Sequence, residues 1–212
     1  MPKLTQIKET KRGRLALFLD GEFVFSLDED TFATAHLHEG DDLEPWQVEQ
    51  LRKQSDTRRA LDKAMDYLSL RDHAAGELYQ KLCRKFDAHS AAWAVARAGE
   101  LGLLNDEGFA RRRAAELLRK RKSRREILQD LAAKGIDRDT AARAVEDLYD
   151  TDETGEDPEL TTARALVARQ YAAKLAAGKR DQVAAALARR GFSHGVIRTV
   201  LDETDDPTES EP

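Results

Sequence analysis

From Pro45 to about Asp202, apolar positions recur every three or four residues, the spacing of one face of an α-helix. Thr57–Leu70 shows it plainly, with Leu61, Ala64, Met65 and Leu68 in one stripe. A shorter connecting helix is expected before it, over Trp46–Gln54. Arg71-Asp72-His73 then breaks the pattern, and Asp72 or His73 is placed to open the next helix. Helices follow over Ala74–Phe86 and Ser90–Leu101, the latter stopped by Gly102. Asp106–Lys122 is the next. Ser123-Arg124-Arg125-Glu126 has the capping-box pattern that starts another, which Gly135 ends in a left-handed cap. Asp137 or Asp139 caps a helix running to about Tyr149. The last three are expected over Leu160–Ala176, Asp181–Arg190 and Ser193–Asp202.

The first 45 residues follow a β pattern instead. Leu15–Leu19 and Glu22–Leu27 flank Asp20-Gly21, a dipeptide suited to the positive φ values of a hairpin turn. A lone hairpin is marginal in water, so Leu4–Lys11 is expected as a third strand. Phe32–Leu37 adds a short helix and Gly40-Asp41-Asp42 a turn.

One helical phrase recurs. Glu126–Leu148 and Gln182–Thr204 align with Leu131 on Leu187, Gly135 on Gly191 and Ile136 on Phe192. A weaker copy starts at Glu77, where Leu82 aligns with Leu131 and the glycine is missing. Repeats of this length mean stacked units, each unable to bury its apolar face alone. The fold class is therefore mainly α: three tandem three-helix repeats after a small β-hairpin-containing domain. The expected division is a β-rich domain at 1–45, a connecting helix at 46–57 and repeats at 58–105, 106–150 and 159–204. An acidic linker at 151–158 and a disordered acidic tail at 205–212 complete it.

Charge sharpens this picture. The net charge of −5 conceals two acidic blocks, Asp150–Glu159 and Asp202–Pro212, each with six acids and no base. Without those twelve negative charges the rest of the chain is +7. Arg111–Arg125 holds nine Arg or Lys against the single Glu116. On a helical wheel Ala110, Ala114, Leu117 and Leu118 fall on one face and Arg111, Arg112, Arg119 and Lys122 on the other. Solvated charged faces usually mix signs in i,i+4 pairs, and here only Glu116 is at hand. The run is therefore read as a partner-binding ridge: Arg111, Arg112, Arg113, Arg119, Lys120, Arg121, Lys122, Arg124 and Arg125. Its partner is polyanionic or acidic. The acidic tail is a candidate intramolecular decoy for that ridge.

Catalytic chemistry is not legible. His36, His38, His73, His89 and His194 are scattered, and His36-x-His38 lacks a third ligand, so no metal is expected. Arg71-Asp72-His73 reads as a helix junction rather than a charge relay. No phosphate-binding glycine loop and no cysteine pair occur, and no cofactor is expected. Cys83, the single cysteine, reads as a buried inert thiol. Phe18, Phe23, Phe25, Trp93, Phe109, Tyr171 and Phe192 read as core, and no spaced aromatic platform for bases is visible. No apolar run nears the roughly 20 residues of a membrane span, and the N-terminus lacks the apolar core of a secretion signal. A cytoplasmic monomer without membrane contact is expected.

The stretches Tyr67–Leu82 (YLSLRDHAAGELYQKL), Leu101–Arg111 (LGLLNDEGFAR), Ile127–Ile136 (ILQDLAAKGI) and Leu187–Leu201 (LARRGFSHGVIRTVL) together resemble the RecX family, regulators of the RecA recombinase. Thr5–Asp42 also resembles an extension found in some of its members. The resemblance implies a curved array of three repeats, bound in the groove of a RecA–DNA filament across neighbouring protomers. It implies inhibition of RecA's ATPase, recombinase and coprotease activities in DNA repair and the SOS response, and no enzymatic activity. Gly108 departs from the family, which often has arginine before the Phe-Ala pair. The acidic linker and tail depart as well. The alternative is a helical protein acting directly on nucleic acid, with single- or double-stranded DNA as its partner.

Overall fold

In the computed structural model, residues 1–11, 13–150 and 157–205 are described. Three strands, β1 (Leu4–Glu9), β2 (Leu15–Leu19) and β3 (Glu22–Leu27), pair antiparallel in chain order. Asp20 and Gly21 carry φ values of 49° and 87°, both in the left-handed region the tight turn demands. Leu17 pairs with Phe25, but Phe18 pairs with Phe23, so Val24 is an extra residue in β3. That bulge reverses the alternation. Phe25 is buried, whereas Phe23, expected in the core, is 59% exposed and meets Phe18 edge-on across the outer face. Leu4, Leu17, Leu27, Leu43 and Leu51 fill the core beneath the sheet.

Helix α1 (Glu29–Ala35) starts three residues earlier than expected because the Asp28 carboxylate accepts from the Thr31 amide and hydroxyl. Helix α2 (Pro45–Leu70) is continuous where two helices were expected. Ser55-Asp56, where the two expected helices part, is held in the helix by tertiary bonds. Ser55 is fully buried and donates to the Ser26 carbonyl at 2.6 Å, while Arg14 donates to that same carbonyl at 2.7 Å. Ala60 and Ala64 of α2 have no exposure, like Ala91 and Ala94 of α4 (Ala88–Glu100), and share one core with them. Met65, expected in the same stripe, is 41% exposed.

Helix α3 (Ala75–Leu82) buries Leu78 and Leu82. Cys83 lies just past its end and is exposed, contrary to expectation, since the chain leaves the helix before Cys83 can turn inward. Trp93, also expected in the core, sits on the outward side of α4 and is 41% exposed.

The chain forms two compact units: Met1–His73 with Leu78–Leu104, and Ala74–Glu77 with everything from Asn105 onward. The second unit holds α5 (Asp106–Arg119), α6 (Arg124–Ala133), α7 (Arg138–Asp150), α8 (Pro158–Gln170), α9 (Ala172–Ala176), α10 (Arg180–Arg189) and α11 (His194–Asp205). Its two cores are built on Ala110, Ala114, Ile127, Leu131 and Val145, and on Leu166, Val183, Leu187, Phe192 and Val200. The expected Leu160–Ala176 helix is interrupted at Tyr171. The expected acidic linker ends sooner than position 158: Asp157 caps α8 and Pro158 is its buried first residue. Residues 151–156 and 206–212, where the rest of the linker and nearly all of the tail were placed, lie outside the described residues. No helix among the described residues is long and apolar enough to cross a membrane.

The glycine of the repeated phrase has a packing role. Gly135, at φ 79°, faces the backbone of Gly76; a Cβ on it would lie 2.7 Å from the Gly76 Cα. Beside this contact Lys134 pairs with Glu77 at 2.6 Å, and the Asp106 carboxylate accepts from the Ala75 amide at 2.9 Å. Gly191, at φ 88°, meets the next helix start in the same way; its Cβ would lie 3.0 Å from the Arg125 side chain and 3.1 Å from the Ser123 Oγ. Each glycine turn thus seats a helix N-terminus from one repeat earlier. The first copy of the phrase has no earlier repeat to receive. At its equivalent turn stands Phe86, whose ring lies under the Arg59 guanidinium at 5.9 Å.

Candidate partner-binding surface

The basic run Arg111–Arg125 is not one ridge. Helix α5 stops at Arg119, three residues short of the expected end. The Arg121 amide donates to the Leu118 carbonyl and the Lys122 amide to the Leu117 carbonyl, a C-terminal motif closed around a left-handed residue. That residue is Arg121, at φ 60°, a conformation costing a side chain on the order of 1 kcal/mol. Its guanidinium is held in turn by the Ala165 carbonyl at 3.1 Å. Ser123 then caps α6 reciprocally with Glu126, as the sequence pattern required, and its hydroxyl donates to the Arg190 carbonyl at 2.6 Å.

Most cations of the run have carboxylates that a single-helix view cannot see. Arg113 donates to both oxygens of Asp130 at 2.8 Å and to Glu116 at 2.9 Å. These bonds raise the Arg113 pKa and hold the Asp130 carboxyl below its ordinary value against the effect of burial. Lys120 also pairs with Glu116, and Lys122 with Glu126. Arg111 reaches Asp147 at 3.5 Å and Arg124 reaches Glu146 at 3.9 Å, both from α7. Glu116 is therefore not the sole counter-charge. Arg112, Arg119 and Arg125 are exposed, and Arg119 and Arg125 have no carboxylate partner among the described residues. Arg112 and Arg119 lie seven residues apart on one face of α5.

Two features of the second unit were not legible in sequence. Arg169 and Arg190, of α8 and the end of α10, converge with Lys120, Arg121 and Lys122 around a cleft of about 250 Å³. Nothing in the spacing of the chain links these positions. The other feature is a wider groove of about 730 Å³, with Leu128, Ala132, Ile136, Ala141 and Ala142 on its walls and Arg124, Arg125 and Arg138 among its lining residues. Near it, burial and the neighbouring Asp157 raise the Glu159 carboxyl above its ordinary range. The half-buried Tyr149 hydroxyl has no hydrogen-bond partner, and burial pushes its pKa up. Among the described residues no group of three His, Cys, Asp or Glu side chains is placed to hold a metal ion.

Fold and surface together define a helical-repeat protein whose distinctive chemistry is cationic and lies on the outside. Comparison with known proteins places it more narrowly. Residues 60–97 match the model of the first three-helix domain of RecX, and residues 105–145 that of the second. The regulatory protein RecX of Lactobacillus gasseri is 31% identical over 209 residues, covering 97% of this chain and 76% of the relative. That of Bacillus subtilis is 29% identical over 223 residues, covering 100% of this chain and 82% of the relative. A crystal structure of regulatory protein RecX matches the fold with a TM-score of 0.68 at 20% identity, covering 96% of this chain and 100% of that one. A crystal structure of RecX from Lactobacillus salivarius matches with a TM-score of 0.59 at 23% identity, covering 71% and 97%. The chain belongs to the RecX family of regulatory proteins.

Proposed function

We propose that this protein is a non-enzymatic regulator that binds RecA in the groove of the RecA–DNA filament and inhibits its ATPase, recombinase and coprotease activities. It serves DNA repair and the SOS response in the cytoplasm, as a monomer. Membership of a family of regulatory proteins supports the role, and one observation carries the mode of binding. The exposed guanidinium groups of Arg112 and Arg119, two helical turns apart on α5, form a cationic face suited to carboxylate or phosphate. Arg111, Lys120, Lys122 and Arg125 are exposed beside it, Lys120 and Lys122 in pairs with Glu116 and Glu126, while Arg113, Arg121 and Arg124 are half-buried and held by contacts within the unit. A repeated body has a further advantage on a filament. Contacts to successive protomers add through multivalency, so the assembled filament is bound more tightly than free RecA.

Titration of the protein into RecA polymerised on single-stranded DNA tests this reading, with ATP hydrolysis followed and the products imaged by electron microscopy. Hydrolysis falls and filaments are shortened or decorated along the groove. Unchanged hydrolysis on undecorated filaments would sink the proposal.

A further inference from the structure

The cleft between the Arg119–Ser123 turn and the third repeat collects five cations and one carboxylate. Lys120, Arg121 and Lys122 come from the turn, Arg169 from α8 and Arg190 from the end of α10, with Glu126 the single acid in the lining. Like charges converge at a cost; Lys120 and Lys122 are offset by Glu116 and Glu126, and two of the three arginines are oriented by bonds. Arg121 is held in a left-handed turn with its guanidinium on the Ala165 carbonyl. Arg190 donates to the Gln170 side chain at 2.8 Å, lies over the Tyr171 ring at 5.7 Å and has its own carbonyl tied to the Ser123 hydroxyl. Each planar fork keeps further N–H donors beyond the bond that orients it. Arg169 is exposed and has no carboxylate partner among the described residues. At about 250 Å³ the cleft holds about eight waters' worth of liquid, room for a small anion with some of its hydration but not for a protein helix.

We propose that this cleft is a phosphate-binding site that takes a backbone phosphate of a nucleic-acid strand. Fixed arginine forks beside lysine point charges are the combination that phosphate recognition uses. A strand fits better than an isolated anion because Arg119, exposed and unpaired by any carboxylate among the described residues, adjoins the cleft at Lys120 and offers the neighbouring phosphate a partner. The site goes beyond the filament reading, since it is measurable with no RecA present.

The test uses the full chain and a labelled oligothymidylate of about twenty nucleotides, with binding followed by anisotropy over a series of salt concentrations. The variant is Arg121→Gly with Arg169→Ala. Glycine accepts the positive φ of the turn, so the fold is kept while the guanidinium is lost. Affinity falls at least about tenfold at low salt, and the salt slope drops by about 0.7, the loss of the one single-strand phosphate contact made in the cleft. The variant's thermal melt stays with the parent's. Three results would overturn the assignment: a variant that binds within twofold of the parent with the same slope, a parent that does not bind the oligonucleotide at low salt, or a parent melt raised by inorganic phosphate or ATP but not by the oligonucleotide. Because RecA is absent from every arm, these outcomes leave the filament reading to its own test.

Discussion

Gly135 and Gly191 hold the same place in the repeated phrase, yet they press on different things. Gly135 lies against the backbone of Gly76, and a Cβ on Gly76 would reach the Gly135 Cα at 2.6 Å and the Lys134 carbonyl at 3.0 Å. Gly191 lies against the aliphatic stem of Arg125 and the Ser123 hydroxyl. Backbone facing backbone has no soft side and is fixed further by Lys134–Glu77 and Asp106–Ala75. At Gly191 the nearest atoms stand at 3.0–3.1 Å, where a shift of a few tenths of an ångström suffices. One sequence signal therefore yields one rigid joint and one forgiving joint. The forgiving one adjoins the cationic turn and its cleft.

Gly135→Ala has the largest expected effect. The left-handed backbone costs a side chain about 1–2 kcal/mol. The unavoidable overlap adds about 1–3 kcal/mol, for a total of about 4 kcal/mol by denaturant unfolding. Gly76→Ala suffers the same overlap but gains helix propensity, and its loss is about 2 kcal/mol. Gly191→Ala has the strained backbone but a milder overlap, at 3.0–3.1 Å, and its loss is about 1.5 kcal/mol. Equal losses at Gly135 and Gly191 would erase the distinction between the joints.

A smaller effect separates the paired part of the basic run from its exposed face. Asp130 is held below its ordinary pKa by the Arg113 hydrogen bonds. A depressed carboxyl contributes stability that is complete above its unfolded-state value and lost as pH falls through the folded one. Solvent reaches the pair and screens it, so Asp130→Asn costs about 1 kcal/mol at neutral pH. The gap between variant and parent closes in acid, below the normal Asp range. A gap that persists there would assign the loss to packing instead.

Much of the fold follows from local signals. Asp20-Gly21, Ser123-x-x-Glu126 and Gly135 each carry their geometry in one to four residues, and each is found where the pattern put it. The exceptions share a cause, which is that the deciding partner is distant in the chain. Ser55-Asp56 reads as a gap between two helices because the sequence does not show Ser26 waiting for Ser55. Phe23 reads as core because the extra residue Val24 is defined only against β2. Arg113 reads as a ridge residue because a wheel of α5 omits Asp130 on α6. Gly76 carries no signal at all, since it pairs with a different position of the phrase one repeat later. The same limit hid the cleft: Arg169 and Arg190 meet Arg121 only once the second and third repeats are packed in one unit.

The decisive measurement is RecA's DNA-dependent ATPase, titrated with the parent protein and with Arg112→Glu/Arg119→Glu side by side. Both positions are exposed on α5 and outside the cores, so the variant should melt with the parent. If the α5 face makes the contact, at least about tenfold more of the variant is needed to halve hydrolysis, as removal of a complementary charged contact requires. A folded variant that suppresses hydrolysis at the parent's concentrations would contradict it.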